Sequence, residues 1–196
     1  MSNLPVIDNK NAKPESAALL NEVEKKFGFV PNLMSVFASS PTALQAYLNL
    51  SELVEKTHFT PEEQQAILLA VSVENNCDYC VAAHSMVAVR MAGMSPDRLK
   101  LLREGNGLGH EKLDSLVEFT REVVRMRGFA SEKAISQFFA AGFSKEQLLE
   151  VLVCITMKTL SNYTNHIAET PLDQPFSDFK WSRNPTIPSP VGHGLG

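Results

Sequence analysis

Two cysteines and a histidine share one short stretch, Cys77-Asp78-Tyr79-Cys80-Val81-Ala82-Ala83-His84, inside a run of helical periodicity. At about 100° per residue, positions 77, 80 and 84 fall on one face of a helix. Two thiols three residues apart can then reach disulfide range, with Cα atoms roughly 4.4–6.8 Å apart. His84, one turn beyond Cys80, can hydrogen-bond its thiol and take the proton. A thiolate, a second thiol to resolve it and a base make a dithiol redox site. The helix start favours the thiolate at Cys77.

Other chemistry competes for the same residues. Free cysteine is among the most buried residue types, and the lone Cys154, between Val153 and Ile155, reads as core. A Cys-x-x-Cys pair is a common zinc half-site, which His84 and His166 could complete. The chain offers no second such pair, the usual partner in a structural zinc site. Haem attachment requires a histidine directly after the second cysteine, where Val81 stands. A thioredoxin-like site requires flanking strands, and no alternating strand pattern is present. The dithiol reading is favoured, and zinc stays open.

The elements that must position these groups read as helices throughout. Apolar positions Ala18, Leu19, Val23 and Phe27 predict a helix from Glu15 that stops at Gly28. Pro31 opens a short helix, and Pro41 a third that reaches about Lys56. Thr60-Pro61-Glu62-Glu63 has the signature of a capping box and opens a helix to about Asn76. The next carries Cys77 or Cys80 through Met91 and ends at Gly93. Further helices are expected from Ser95 to near Gly105, His110 to Arg127, Ser131 to Ala141, and Ser144 to about Ile167. Gly105, Gly107 and Gly109 form a connector and not a phosphate loop, because no strand precedes them. From Pro171 an extended tail, with the only Trp, is expected to pack on the body or reach a neighbouring subunit.

A degenerate repeat shifted by 84 residues underlies this order. Phe59-Thr60-Pro61-Glu62 aligns with Phe143-Ser144-Lys145-Glu146, and Cys77-Asp78-Tyr79-Cys80 with Ser161-Asn162-Tyr163-Thr164. This predicts a duplicated helix pair, one copy keeping the chemistry and the other scaffolding it.

Composition sets the boundaries. A chain of 196 residues, 44% hydrophobic and 20% charged, suits one domain with a sizeable core. A net charge of −4 favours neither nucleic acid nor an anionic membrane as partner. The longest apolar runs are too short to span a bilayer, and no signal peptide is expected, so the expected location is the cytoplasm. Three cysteines in a reducing compartment point to redox or metal chemistry rather than a disulfide framework.

The stretch Val71-Ser72-Val73-Glu74-Asn75-Asn76-Cys77-Asp78-Tyr79-Cys80-Val81-Ala82-Ala83-His84-Ser85 resembles the carboxymuconolactone decarboxylase / alkyl hydroperoxidase D (AhpD)-like superfamily, in its peroxidase-related branch. Asn162-Tyr163-Thr164-Asn165-His166-Ile167-Ala168 and Phe29-Val30-Pro31-Asn32-Leu33 are similar to further hallmarks of that branch. The resemblance implies an all-α AhpD-like helical bundle in one domain over residues 1–170, with a motif core at about 42–125 and a Pro-rich tail at 171–196. It implies trimers or hexamers, and exposed apolar helix faces also point to a homo-oligomer. It implies thiol-dependent peroxidase activity without metal or organic cofactor, on a small-molecule peroxide and with an external thiol reductant. By motif position Cys80 attacks the peroxide, Cys77 resolves the sulfenate and His84 belongs to a proton relay.

One position departs from the pattern. The acid that supports the relay histidine in the family lies twelve residues before the first cysteine, where this chain has Gln65. Glu74 is the nearest replacement, and Glu63 another. Tyr79 and His166 are further pocket residues. The alternatives are decarboxylation of a small lactone acid, which has no use for a disulfide, and a zinc-binding or redox-sensing module without turnover.

Overall fold

Helix α4 (Pro61–Glu74) organises the structure because it is apolar all round. Every residue from Ala66 to Val73 is buried, so neighbours must pack on all of its sides. They are α5 (Asp78–Arg90), α6 (Pro96–Arg103), α7 (Glu111–Arg125) and α9 (Lys145–Ala168). Helices α1 (Pro14–Phe27), α2 (Asn32–Phe37) and α3 (Pro41–Glu55) lie on the α9 side, and α8 (Glu132–Ala140) lies against α7. This computed structural model describes residues 4–182, and among them there is no strand. The expected all-α bundle is the fold, and no described helix is long and apolar enough to cross a membrane.

Capping residues set the helix starts as their sequence signatures require. The Thr60 side chain accepts from the Glu63 backbone N–H, and the Glu63 carboxylate accepts from the Thr60 N–H. Ser144 and Gln147 repeat the arrangement at α9, and the aligned Phe59 and Phe143 rings meet 5.9 Å apart. The repeat then diverges. In α4 the ladder ends with Asn76 N–H on the Val73 carbonyl and Cys77 N–H on the Ser72 carbonyl. This is the Schellman closure, which requires a left-handed residue, and Asn76 provides it with φ 58°. Asparagine tolerates that region far better than a bulky side chain. The aligned position in α9 is Leu160, and α9 runs on unbroken to Ala168. The second copy is therefore one long helix, not the expected helix pair.

The chain beyond Pro171 is held to the body, and residues 171–182 are not simply extended. A 3₁₀ turn, Gln174–Phe179, places Phe176 edge-on to Phe29 and Tyr79. Asp173 accepts from the Tyr79 hydroxyl and from the Asn32 backbone N–H. The latter is an orphan donor at the first turn of α2, where Pro31 has no capping side chain. The rest of the Pro-rich tail lies outside the described residues. Tyr79→Phe should lower unfolding free energy by about 2 kcal/mol, because a buried hydrogen bond to a carboxylate is lost. Chemical denaturation checks this, and limited proteolysis should then cut earlier within residues 171–182.

Candidate active site

The break after α4 decides where the two sulfurs lie. Cys77 is not on the helix face that spacing predicts, but is the N-cap of α5, with φ −100° and ψ 95°. Cys80 follows in the first turn, where the helix N-terminus favours an anion. Both thiols are buried and free. Asn165 on α9 closes the far side: its Nδ2 donates to Cys80 Sγ at 3.2 Å and to Cys77 Sγ at 3.8 Å. Ser161 Oγ lies 3.8 Å from Cys80 Sγ. Its hydroxyl donates to the Lys158 carbonyl and can turn to an ionised sulfur.

These surroundings separate the two thiols. Burial opposes ionisation of Cys80, but the hydrogen bond from Cys77, the Lys158 charge and the Ser161 hydroxyl together hold it well below the ordinary thiol value. Cys77 moves the other way: its hydrogen bond to Cys80 and its burial favour the protonated thiol. Cys80 is thus the sulfur placed to ionise. The helix start, which alone favoured Cys77, is outweighed by the hydrogen bond that Cys77 gives Cys80 and by what α9 brings.

A half-open cavity of about 430 Å³ reaches Cys80, within the usual range for small-molecule sites. Cys80 lines it and Cys77 does not. Tyr47, Gln65, His84 and Lys158 also line it, and Leu33, Met34, Leu48, Val54 and Met86 are among its apolar walls. Tyr47 is buried, and burial followed by the nearby sulfur charges keeps its phenol protonated.

Gln65 and His84, nineteen residues apart, are brought together. Gln65 Oε1 lies 2.9 Å from His84 Nδ1, so Nδ1 carries the proton and Nε2 keeps its lone pair. Burial, and then the Lys158 charge, hold the ring well below its ordinary value, so it is neutral at pH 7. Among the described residues no hydrogen bond joins His84 to a thiol, in contrast to the direct contact that spacing predicts.

Three expected groups are not at this site as foreseen. The Glu74 carboxylate faces α7 instead, accepting from Arg125 Nε and Nη2 at 2.8 and 2.7 Å, with Arg121 Nε at 3.8 Å. Glu63 stays in its capping box and pairs with Lys112. His166 is exposed beside Tyr163 and shares no pocket with the sulfurs, so it does not complete a tetrahedral set with them. Tyr79 does line the cavity, but its hydroxyl goes to Asp173. Conversely, Tyr47, Lys158, Ser161 and Asn165 were not expected. Lys158 had a signal: it is the only Asp, Glu, Lys or Arg from Val151 to Ala168.

Residues 41–106, spanning α3 to α6 and the cysteine motif, match the model of the carboxymuconolactone decarboxylase family. Over that stretch the chain resembles the carboxymuconolactone decarboxylase family, and its fold is AhpD-like. Solved structures share its fold over nearly their whole length. One is an alkylhydroperoxidase AhpD core, an uncharacterized peroxidase-related protein from Ralstonia eutropha JMP134, with TM-score 0.79 and 22% identity over 89% of this chain and 94% of that one. Another is an uncharacterized peroxidase-related protein from Silicibacter sp. TM1040, with TM-score 0.75 and 18% identity over 89% and 92%. A third is a cysteine-to-alanine variant of the debrominase Bmp8 in complex with 2,3,4-tribromopyrrole, with TM-score 0.77 and 16% identity over 91% and 96%. No curated protein matches the sequence.

Two measurements follow from this geometry. Glu74→Gln should lower the melting temperature while leaving the alkylation rate of Cys80 unchanged; a slowed alkylation would put Glu74 back in the site. His84 has a depressed folded value, so below about pH 6.5 the unfolded chain binds a proton that the native one does not. Its contribution to stability is complete above that pH and is lost on acidification, with a slope of up to about 1.4 kcal/mol per pH unit. Denaturation of His84→Gln at pH 7 and pH 5 should show a smaller difference than the parent.

Proposed function

We propose that the protein is a thiol-dependent peroxidase that reduces hydrogen peroxide or organic hydroperoxides through a Cys77–Cys80 disulfide cycle. The observation that carries this reading is the asymmetry of the pair. Cys80, the sulfur placed to ionise, faces the cavity, and Cys77 waits behind it within hydrogen-bond reach. The Cys80 thiolate attacks the outer oxygen of ROOH, the O–O bond breaks, and RO⁻ takes a proton to leave as ROH. The sulfenic acid then meets the Cys77 thiol, an S–S bond forms and water leaves, before further oxidation advances. An external dithiol restores the pair by exchange.

His84 fits the role of proton carrier in this cycle. It is neutral, its Nε2 is an acceptor, and Gln65 fixes that tautomer as a carboxylate would, without charge. Gln65 gives an imidazolium no full charge partner. The relay therefore rests on a neutral ring that shuttles a proton, with no step that stores one. The reading includes a reducing compartment such as the cytoplasm, and a homo-oligomer, trimeric or hexameric. Exposed Leu149, Leu152, Tyr163 and Ile167 on α9 support the latter.

The apolar cavity and the likeness to a debrominase support a second reading, reductive dehalogenation of a haloaromatic. It uses the same pair: ArBr and the dithiol give ArH, the disulfide and HBr. Lactone decarboxylation draws on neither sulfur. One equivalent of peroxide should remove two hydrogens from the peptide that holds Cys77 and Cys80, as read by mass spectrometry. Cys80→Ser should lose turnover by at least about a hundredfold, the scale on which a nucleophile contributes. Cys77→Ser should consume one peroxide and stop at a sulfenic acid. Parent-like peroxide consumption by both variants would contradict the proposal. Release of bromide from a bromopyrrole, with peroxide untouched, would favour the second reading.

A further inference from the structure

Lys158 is fully buried in the middle of α9; its Nζ meets no oxygen or nitrogen acceptor among the described residues, and its charge bears on the Cys80 sulfur. An ammonium taken from water without a partner is costly, and it persists where a counter-charge compensates. The surrounding elements limit what that counter-charge can be. The polar groups that helix α4 presents to the cavity are the neutral Gln64 and Gln65, and α2 presents no titratable group. Helix α3 contributes the protonated Tyr47, with Glu52 and Glu55, which pair with Lys56 and Lys26. Helix α1 contributes Lys26 and Glu22, whose carboxylate is exposed to solvent. Asp173 is engaged with Tyr79 and Asn32, and His84 carries no negative charge. Cys77 keeps its proton, which leaves the sulfur of Cys80.

The register of α9 agrees. Lys158, Ser161 and Asn165 stand at i, i+3 and i+7 and so share one face. Ser161 and Asn165 both contact Cys80 Sγ, and Lys158 lines the same cavity.

We propose that Lys158 is the built-in counter-cation of the Cys80 thiolate and, as a positioning residue, poises the Cys77–Cys80 couple toward its reduced form. The reason is a charge imbalance on oxidation. Reduction by an external dithiol runs as disulfide plus R(SH)₂ to Cys80–S⁻, Cys77–SH, the cyclic disulfide of R and one H⁺. In the dithiol state the buried cation and anion face each other. In the disulfide state the anion is gone and the ammonium is buried alone. A couple whose reduced form is stabilised has a more oxidising potential. The device would keep the site ready for its next turnover and make its disulfide easy for a reductant to open.

This inference rests on the dithiol pair of the proposed function, but not on peroxide as its oxidant. The test therefore uses no peroxide. Parent, Lys158→Met and Lys158→Gln are alkylated with iodoacetamide across pH, with Cys80 followed by peptide mass spectrometry. Each is also equilibrated with fixed ratios of reduced and oxidised glutathione. Both neutral variants should shift the Cys80 titration upward by a pH unit or more. The dithiol–disulfide equilibrium should move at least about tenfold toward the disulfide, or about 30 mV for this two-electron couple. Folded variants that titrate and equilibrate like the parent would overturn the proposal. If neither variant folds, a parent Cys80 midpoint at or above the ordinary thiol value of about 8.5 would overturn it, and a lower one would sustain it. Inertness of the parent toward peroxide, with these shifts intact, would count against the peroxidase reading alone.

Discussion

The left-handed turn at Asn76 is the constraint on which the site depends. With φ 58° it ends α4 and delivers Cys77 as the N-cap of α5. Without it the chain would continue as α9 does, and positions 77 and 80 would be two points on a straight helix. The turn instead sets one thiol at the helix mouth and the other in its first turn. It also presses both against α9, where Asn165 donates to each.

That placement turns a pair of similar side chains into an unequal couple. Burial alone would raise both thiols, and the local partners decide which one overcomes it. Cys80 receives hydrogen-bond donors and a cation, while Cys77 becomes the donor. The cavity reinforces the division by reaching only one sulfur. A nearby neutral histidine, held in one tautomer by Gln65, keeps a proton acceptor close without adding charge. The apolar walls lower the local dielectric, which strengthens every one of these interactions.

Much of this was legible in the sequence, for local reasons. Capping boxes at Thr60 and Ser144, proline starts and glycine stops act within a few residues, and their helices begin and end close to where they predict. The Gln65–His84 pair was reachable through the family's motif offset. What was not legible depends on packing between distant elements. Glu74 looked available from its own helix, yet Arg121 and Arg125 of α7 take it. His166 and Asn165 are adjacent in sequence, but helical rotation sends one to solvent and the other to the sulfurs. The in-line reading of Cys77, Cys80 and His84 failed because helical spacing assumes an unbroken helix, and Asn75-Asn76 breaks it. Lys158 gave a faint signal as a lone charge in an apolar run, and only the fold shows what it faces.

The most direct test of the unequal couple is which sulfur reacts first. The reduced protein is exposed briefly to a substoichiometric alkylating agent at pH 6.5, and labelled peptides are resolved by tandem mass spectrometry. The geometry predicts label on Cys80 ahead of Cys77 by at least about tenfold, since nucleophilicity follows the thiolate fraction. Label on Cys77 first, or on neither at a rate above that of an unstructured cysteine peptide, would contradict it.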